Sequence, residues 1–302
     1  MLHWLVFMIM LSVIMPVYNS EEFLAESVQS ILKQSYADFE LILIDNCSSD
    51  GSKKIIEEFA AQDPRVVPVF NDINIGLPKS LNKAMRLAKG KYIARMDADD
   101  IAHSERFSRQ MDFLEKHLEI DVLGSWWEYF PNKLTMEMPR EHRDIKIYAL
   151  SNNPMGHPTV MFRREKLIRQ IGLYNEDSGP IEDYEYWMRG LQSLRFANLP
   201  EVLLNYRIHH AQMSAEKSQE QVRASRELRV KFLSPVSLNI KSAVYLVDFI
   251  DGKIAKNLRK QHLLFIIIAS FSYNLVIGYF DRLRFGQFLL RIWREKRNLY
   301  VN

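Results

Sequence analysis

Cysteine is nearly absent: the 302 residues hold one, Cys47. That excludes an intramolecular disulfide framework and fits a reducing compartment. Followed by Ser48 and Ser49, with no paired base in the pattern, Cys47 reads as a small loop residue rather than a nucleophile. A charge excess is missing too. The net charge is +3, which gives no whole-chain footprint for nucleic acid. No internal repeat or low-complexity tract is visible, so a solenoid or a disordered array is excluded. The apolar start, Leu2 to Val17, lacks both a Lys/Arg-rich flank and a small-residue cleavage site, and Leu11–Met15 reads as a buried strand instead of a signal peptide.

What the chain has is a globular composition, 47% hydrophobic and 25% charged, and enough length for a substantial core. Its first hundred residues alternate. Strand-like Ser12–Met15, Leu41–Ile44, Val66–Phe70 and Tyr92–Met96 are separated by apolar residues at helical spacing. The three helical patterns are Phe23, Leu24, Val28, Ile31 and Leu32; Ile55, Ile56, Phe59 and Ala60; and Leu77, Leu81, Ala84, Met85 and Ala88. Gly90 sits where a C-cap would close the third helix. Strand and helix alternating at this interval imply βαβ units and an α/β fold with a mostly parallel sheet. In such sheets ligands bind at the carboxyl ends of the strands. Those ends carry Tyr18-Asn19, Asp45-Asn46, Asn71 to Asn74 and Asp97 to Asp100, four polar termini on one edge. The second half is less regular: a helix over 104–117, an aromatic-rich run Val122–Phe130, a loop Asn152–Pro158 and a helix Asp183–Leu191.

Two acidic features carry chemistry. Asp97, Asp99 and Asp100 close a buried strand within four residues. Carboxylates so close repel one another and are costly to bury unpaired, and a divalent cation, Mg²⁺ or Mn²⁺, makes the cluster intelligible. The alternative is a solvated loop in which Asp99 or Asp100 caps the next helix. Glu182 and Asp183 head an amphipathic helix, where the dipole favours acidic residues and where a carboxylate can also serve as a base. Trp126, Trp127 and Trp187 suit stacking on sugar rings or, more commonly, core packing.

The order of motifs resembles the inverting family-2 glycosyltransferases of GT-A fold, those of bacterial capsule, exopolysaccharide and O-antigen assembly above all. The resemblance spans 11 to roughly 214 and rests on Ser12-Val13-Ile14-Met15-Pro16-Val17-Tyr18-Asn19, Ile44-Asp45-Asn46-Cys47-Ser48-Ser49-Asp50-Gly51-Ser52 and Asn74-Ile75-Gly76-Leu77. It continues through Ala94-Arg95-Met96-Asp97-Ala98-Asp99-Asp100, Gly156-His157-Pro158, Glu182-Asp183-Tyr184 and Tyr206-Arg207-Ile208-His209. It implies a Rossmann-like GT-A catalytic domain over 1–210, with a nucleotide-sugar half (1–103) and an acceptor half (104–210), then a helical region over 211–302. It further implies a metal-dependent, inverting hexosyl- or N-acetylhexosaminyltransferase acting with Mn²⁺ or Mg²⁺. The donor would be a nucleotide-sugar, usually a UDP-sugar, and the acceptor a lipid-linked surface-glycan precursor at the cytoplasmic face of a bacterial plasma membrane.

The implied roles follow residue by residue. Pro16, Tyr18 and Asn19 border the nucleotide. Asp45 meets its uracil or ribose edge beside Asn46, where many relatives carry a second Asp. Lys79 approaches the diphosphate or is simply solvated. Asp97 and Ala98 line the donor site. Asp99 is the preferred metal ligand, with Asp97, Asp100 and His209 in support. Asp183 is the base, with Glu182 in reserve, and His157 and Trp187 shape the sugar or acceptor pocket. Two alternatives compete. A nucleotidyltransferase would need a Gly-rich basic loop where Pro16-Val17-Tyr18-Asn19-Ser20-Glu21-Glu22 stands. A non-catalytic nucleotide-binding scaffold would tolerate loss of the acidic residues, which are intact.

The C-terminal region is apolar from Leu263 to Phe280, at the lower limit of a membrane span. Leu283, Phe288, Leu289, Ile292 and Trp293 then alternate with Arg282, Arg284, Arg291, Arg294, Lys296 and Arg297. A basic amphipathic helix of this kind suits an anionic membrane surface. The alternative is a helical hairpin packed on the catalytic domain or on a second copy in a homo-oligomer.

Overall fold

The computed structural model describes residues 9–209, 218–233, 246–248, 250–251, 285 and 287–292. The first four strands are β1 (Leu11–Val17), β2 (Phe39–Asp45), β3 (Val66–Phe70) and β4 (Tyr92–Arg95). They run parallel in the order β3-β2-β1-β4. Helices α1 (Leu24–Leu32), α2 (Ser52–Gln62) and α3 (Leu77–Leu87) connect them. The chain moves outward from β1 to β3 and then returns to lay β4 on the other side of β1. Strand order therefore reverses between β1 and β4, and a crevice opens there at the carboxyl ends.

Strands β5 (Ile101–Ala102), β6 (Val122–Phe130), β7 (Leu134–Met136), β8 (Met161–Arg163) and β9 (Phe196–Arg207) extend the same sheet. Its order continues β4-β8-β6-β9-β5, with β7 hairpinned on β6. Here β8 runs antiparallel to β4 and β6, and β5 antiparallel to β9, while β6 and β9 are parallel. One mixed sheet thus passes through both sequence halves, parallel throughout its N-terminal part. Helices α4 (Arg106–Lys116), α5 (His142–Tyr148), α6 (Arg164–Ile171) and α7 (Glu182–Gly190) cover it, and α8 (Ser218–Leu233) lies outside.

Alternation decides the faces. Leu11, Val13, Met15 and Val17 of β1 join one core with Leu24, Val28, Ile31, Ile56, Phe107 and Leu114 from α1, α2 and α4. Ile14 points the other way, into a core with Leu81, Met85, Leu167 and Trp187 from α3, α6 and α7. Both faces of β1 and β2 are buried, which is why their sequences read as continuous apolar runs rather than as alternating ones.

Several element ends move by one to three residues. β2 is longer than Leu41–Ile44, β4 stops at Arg95, and the helix expected over 104–117 spans Arg106–Lys116. Gly90 is not a helix cap. The helix ends at Leu87, and Gly90 lies where the chain enters β4 against β1, its amide donating to Ser12 Oγ at 2.8 Å. A Cβ there would stand 2.5 Å from the Ser12 nitrogen and 2.7 Å from the Leu11 carbonyl carbon, so close backbone approach selects the glycine.

A third apolar cluster joins the C-terminal residues to α5 and the segment that follows it. Ile147 and Leu150 pack with Leu233 of α8 and with Leu246, Val247, Ile250, Phe285, Phe288, Leu289 and Ile292. Phe288, Leu289 and Ile292, expected on a membrane-facing stripe, are here covered by the protein itself, as the packed alternative requires. The run Leu263–Phe280, the residues Arg282, Leu283, Arg284, Trp293, Arg294, Lys296 and Arg297, and the N-terminal extension through Met8 lie outside the described residues. Among the described residues no helix is long and apolar enough to cross a membrane.

Candidate functional site

The polar ends of β1, β2 and β3 form one wall of the crevice. Asn19, at φ 47°, donates its amide to Ser48 Oγ at 2.9 Å and accepts the Ser49 amide on its Oδ1 at 2.8 Å, tying the first strand end to the second. Asn tolerates this left-handed conformation well. Cys47, at φ 64°, does so at some cost, and its exposed thiol lies 3.5 Å from the Asp72 carbonyl. Asp45 is buried and accepts the Ser48 amide at 3.3 Å. Asn46 donates to Asn74 Oδ1 (2.7 Å) while its own Oδ1 accepts from Asn71 Nδ2 (3.2 Å) and the Ile75 amide (3.0 Å). Tyr18 is half exposed, Pro16 half-buried, and Lys79 exposed on the first turn of α3 without an ion pair among the described residues.

The second wall is the acidic loop between β4 and β5. Asp97, Asp99 and Asp100 each offer a carboxylate oxygen within 4.8 Å of the others, with Ala98 buried between them. Burial pushes Asp97 up to about 6 against the pull of Arg95, with Asp99 adding to the rise. Burial and the charges of Asp97 and Asp99 push Asp100 well above the usual carboxylate range. One Asp100 oxygen, Oδ2, is buried without a hydrogen-bond partner among the described residues. Three crowded carboxyls, of which Asp97 and Asp100 resist ionisation, with one orphaned oxygen, are the donor set a hard divalent cation satisfies, so the residues fit Mg²⁺ or Mn²⁺.

Residues from distant elements hold this loop. Arg207, at the end of β9, donates its amide to Asp100 Oδ1 (2.9 Å) and its Nε to the Asp99 carbonyl (2.8 Å). Its guanidinium also pairs with Glu26 of α1 and lies over the Phe23 and Phe130 rings. His209 follows, its Nε2 2.8 Å from Asp99 Oδ2. Beneath, the buried Arg95 pairs with Asp97. Arg106, fully buried and lowered to about 9 by burial, donates to the Arg95 carbonyl at 2.8 Å. Arg95 stands within one of the motifs but was given no role there, and Arg106 belongs to none. The available signal was a lone arginine inside an otherwise apolar strand, which cannot be buried without a partner.

The third component is the start of α7. Asp183 Oδ2 accepts from Asn153 Nδ2 at 2.6 Å and Oδ1 from the Tyr184 amide at 2.6 Å. His157, in a short 3₁₀ turn, places Nδ1 4.0 Å from both Glu182 Oε1 and Asp183 Oδ2. Burial, then the Asp183 charge, pushes Glu182 up to about 8, so it keeps its proton at neutral pH. Burial raises Asp183 as well, opposed by the Tyr184 amide, Arg95 and Asn153. Burial, with Arg95, lowers His157 well below its ordinary range and keeps it neutral. The Asp183 charge adds to the rise of Asp97, so the acidic loop and the α7 carboxyls share one electrostatic environment.

Trp187 departs from expectation. Its ring is fully buried among His157, Tyr186 and Phe196, and no face is open to a sugar; it packs beneath the pocket rather than lining it. Trp127 is also nearly buried, against Gly156, where a Cβ would come within 2.7 Å of the indole. Trp126 is half-buried and donates Nε1 to the Met138 carbonyl.

Comparison with known proteins gives the family and the fold. The family described as Glycosyl transferase family 2 matches residues 12–172. An uncharacterised glycosyltransferase of Haemophilus influenzae is 28% identical over 310 residues, covering 97% of this chain and 95% of its own. The O-antigen biosynthesis glycosyltransferase WbnJ of Escherichia coli is 34% identical over 220 residues, 69% of this chain and 83% of its own. Among solved structures, S. aureus TarS 1–349 in complex with UDP-GlcNAc superposes with a TM-score of 0.63 at 19% identity, covering 96% of this chain and 91% of that one. That likeness shows the fold, a GT-A glycosyltransferase architecture.

Proposed function

The chain belongs to glycosyltransferase family 2, and from that premise we propose that it transfers one hexosyl or N-acetylhexosaminyl unit, with inversion, from a UDP-sugar to a hydroxyl of a surface-polysaccharide precursor. The observation that carries the reading is the pairing, within one electrostatic environment, of a crowded acidic loop with a separate buried carboxylate, Asp183, held by Asn153 and the Tyr184 amide. The O-antigen role of the E. coli relative and the UDP-GlcNAc in the S. aureus structure support the choice of glycan and donor.

In this reading the nucleotide lies along Pro16, Tyr18, Asn19, Asp45 and Asn46, with Lys79 at the rim and Asp97 and Ala98 beneath the sugar. A Mn²⁺ or Mg²⁺ held by Asp97, Asp99 and Asp100, with His209 beside Asp99, would offset the negative charge developing on the departing diphosphate. Arg95 orients Asp97 from below, and Arg207 fixes the loop backbone. Asp183 takes the proton of the acceptor hydroxyl as its oxygen attacks the anomeric carbon, and UDP leaves from the opposite face. Glu182, protonated beside it, leaves Asp183 as the one base of the pair. The catalytic unit is residues 1–210 in two halves, and residues 211–302 are an appended region. A lipid-linked acceptor and peripheral attachment at the cytoplasmic membrane face rest on the apolar run Leu263–Phe280 and its basic neighbours.

The test is calorimetric binding of UDP with Mn²⁺ and then with EDTA, followed by two variants. Asp99→Ala is expected to abolish the metal-dependent part of UDP binding. Asp183→Asn is expected to keep that binding and to lose transfer by about a hundredfold or more. Metal-indifferent UDP binding would remove the cation from the reading, and normal turnover in Asp183→Asn would move the base elsewhere. A protein that binds UDP yet turns over no UDP-sugar would be the scaffold.

A further inference from the structure

Tyr174 belongs to none of the motifs, yet it is held more tightly than most residues near the site. It is buried, and its ring stacks on Tyr186 with centroids 4.0 Å apart. Its backbone is clamped by the buried Asn82 of α3, which accepts the Tyr174 amide (2.9 Å) and donates to its carbonyl (3.0 Å). The phenol oxygen lies 3.0 Å from His157 Nε2, and no other partner for that hydroxyl occurs among the described residues. The opposite nitrogen of the same imidazole faces Glu182 and Asp183.

A neutral imidazole carries one proton, and the partner of one nitrogen decides whether the other is a donor or an acceptor. If the phenol donates to Nε2, the ring proton sits on Nδ1 and points at the carboxyls. The other tautomer would turn an Nδ1 lone pair toward the Asp183 carboxylate, a repulsive contact. We propose that Tyr174 is a positioning residue that holds His157 as the Nδ1–H tautomer, so that the ring donates toward Asp183 in its ionised form.

Of the remaining groups only Glu182 bears on the choice: its protonated carboxyl, 4.0 Å from Nδ1, would favour a lone pair there and is the competitor that the Tyr174 hydroxyl opposes. Arg95 of β4 acts on His157 and both carboxyls through its charge alone. Asp97 bears on Glu182 in the same way. Asn153 bonds Asp183 and leaves the ring untouched. Tyr186, on α7, stacks on Tyr174 and donates its hydroxyl to the Gly172 carbonyl. Burial holds the Tyr174 phenol well above its usual range, so it stays protonated and has a proton to donate. The Nδ1 distances of 4.0 Å are longer than a hydrogen bond and leave room for the contact to tighten as the base ionises around substrate. The catalytic meaning of this device rests on Asp183 being the base; the tautomer itself does not.

The experiment uses the full chain, metal-free and labelled with ¹⁵N, with the His157 imidazole assigned by its loss in His157→Asn. Protonated and unprotonated ring nitrogens resonate far apart, so the tautomer is read directly. The wild type is expected to show Nδ1–H, and Tyr174→Phe, which keeps the stacked ring, to lose that pattern. The Asp183 carboxyl, followed by ¹³C, is expected to titrate upward by about half to one pH unit in Tyr174→Phe. In a His157→Asn background, where the amide supplies its own donor, Tyr174→Phe should leave that titration unmoved. An Nε2–H tautomer in the wild type, a tautomer unchanged by Tyr174→Phe, or an Asp183 titration that ignores the tautomer would each overturn the proposal. Retained transfer in Asp183→Asn would instead remove the base assignment while leaving the tautomer result standing.

Discussion

Asn46 is fixed by three hydrogen bonds that an amide can make together and a carboxylate cannot. Its Nδ2 must donate to Asn74 Oδ1 while its Oδ1 accepts from Asn71 and Ile75. Asn46→Asp would set an anion against the Asn74 oxygen in a buried position, and it is expected to lower stability by about 1–3 kcal/mol in urea titrations. Glu182 offers a second residue-scale prediction. Its folded-state value of about 8 stands above the ordinary 4.5, so the folded protein keeps a proton that the unfolded chain releases. This contribution to stability is complete below about pH 4.5 and is lost as pH rises through about 8. Glu182→Gln removes the titration, and its melting temperature should gain on the wild type between about pH 5 and pH 8. The same variant is expected to retain transfer, in contrast to Asp183→Asn. For transfer itself the sign is opposite. A raised Asp183 loses its activity as pH falls, and at a higher pH than an ordinary aspartate would.

At the scale of elements, the site depends on how closely β4 lies against β1. The crevice opens between these two strands, and Gly90 is where their backbones converge. Gly90→Ala would press a methyl group onto the backbone of Leu11 and Ser12, which has no rotamer through which to yield. The expected loss is about 1–3 kcal/mol, with weaker UDP binding as the acidic loop shifts, both measurable on one purified variant. The acidic loop itself is an element with two anchors, β4 at one end and β5 at the other, the latter paired to β9. Arg207 on β9 closes that arrangement from the far side. Sequence reading located the loop's carboxylates and the β4 strand before them but not β5, which is two residues long and has no pattern to detect.

At the scale of the whole molecule, the C-terminal residues are joined to α5 and the segment that follows it through charge as well as apolar contact. Gln221 of α8 donates to the Pro180 carbonyl at 3.0 Å, in the turn that leads into Glu182 and Asp183. Arg229 is buried and pairs with Asp251 at 2.7 Å while donating to the Leu150 carbonyl at 3.3 Å. Removing one partner of a buried pair leaves the other charge stranded, so Arg229→Met is expected to cost about 3 kcal/mol. If the appended region only supports α7, UDP binding survives in the folded variant while thermal stability falls.

The sequence by itself determined the N-terminal half of the fold and the identity of the acidic residues. Short apolar runs and period-3.6 patterns depend on neighbours a few positions apart, and the strand ends follow from them. It also named Asp183, His157 and His209, through motifs that occur together in order. Only the tertiary structure decided that Trp187 is core rather than pocket wall, that Gly90 marks a strand crossing, and that Phe288, Leu289 and Ile292 are covered by the protein. The partners of Arg95, Asn82 and Tyr174 came from the structure as well. These are contacts between residues far apart along the chain, 92 positions for Asn82 and Tyr174, and no local pattern encodes which distant side chain will satisfy a buried polar group.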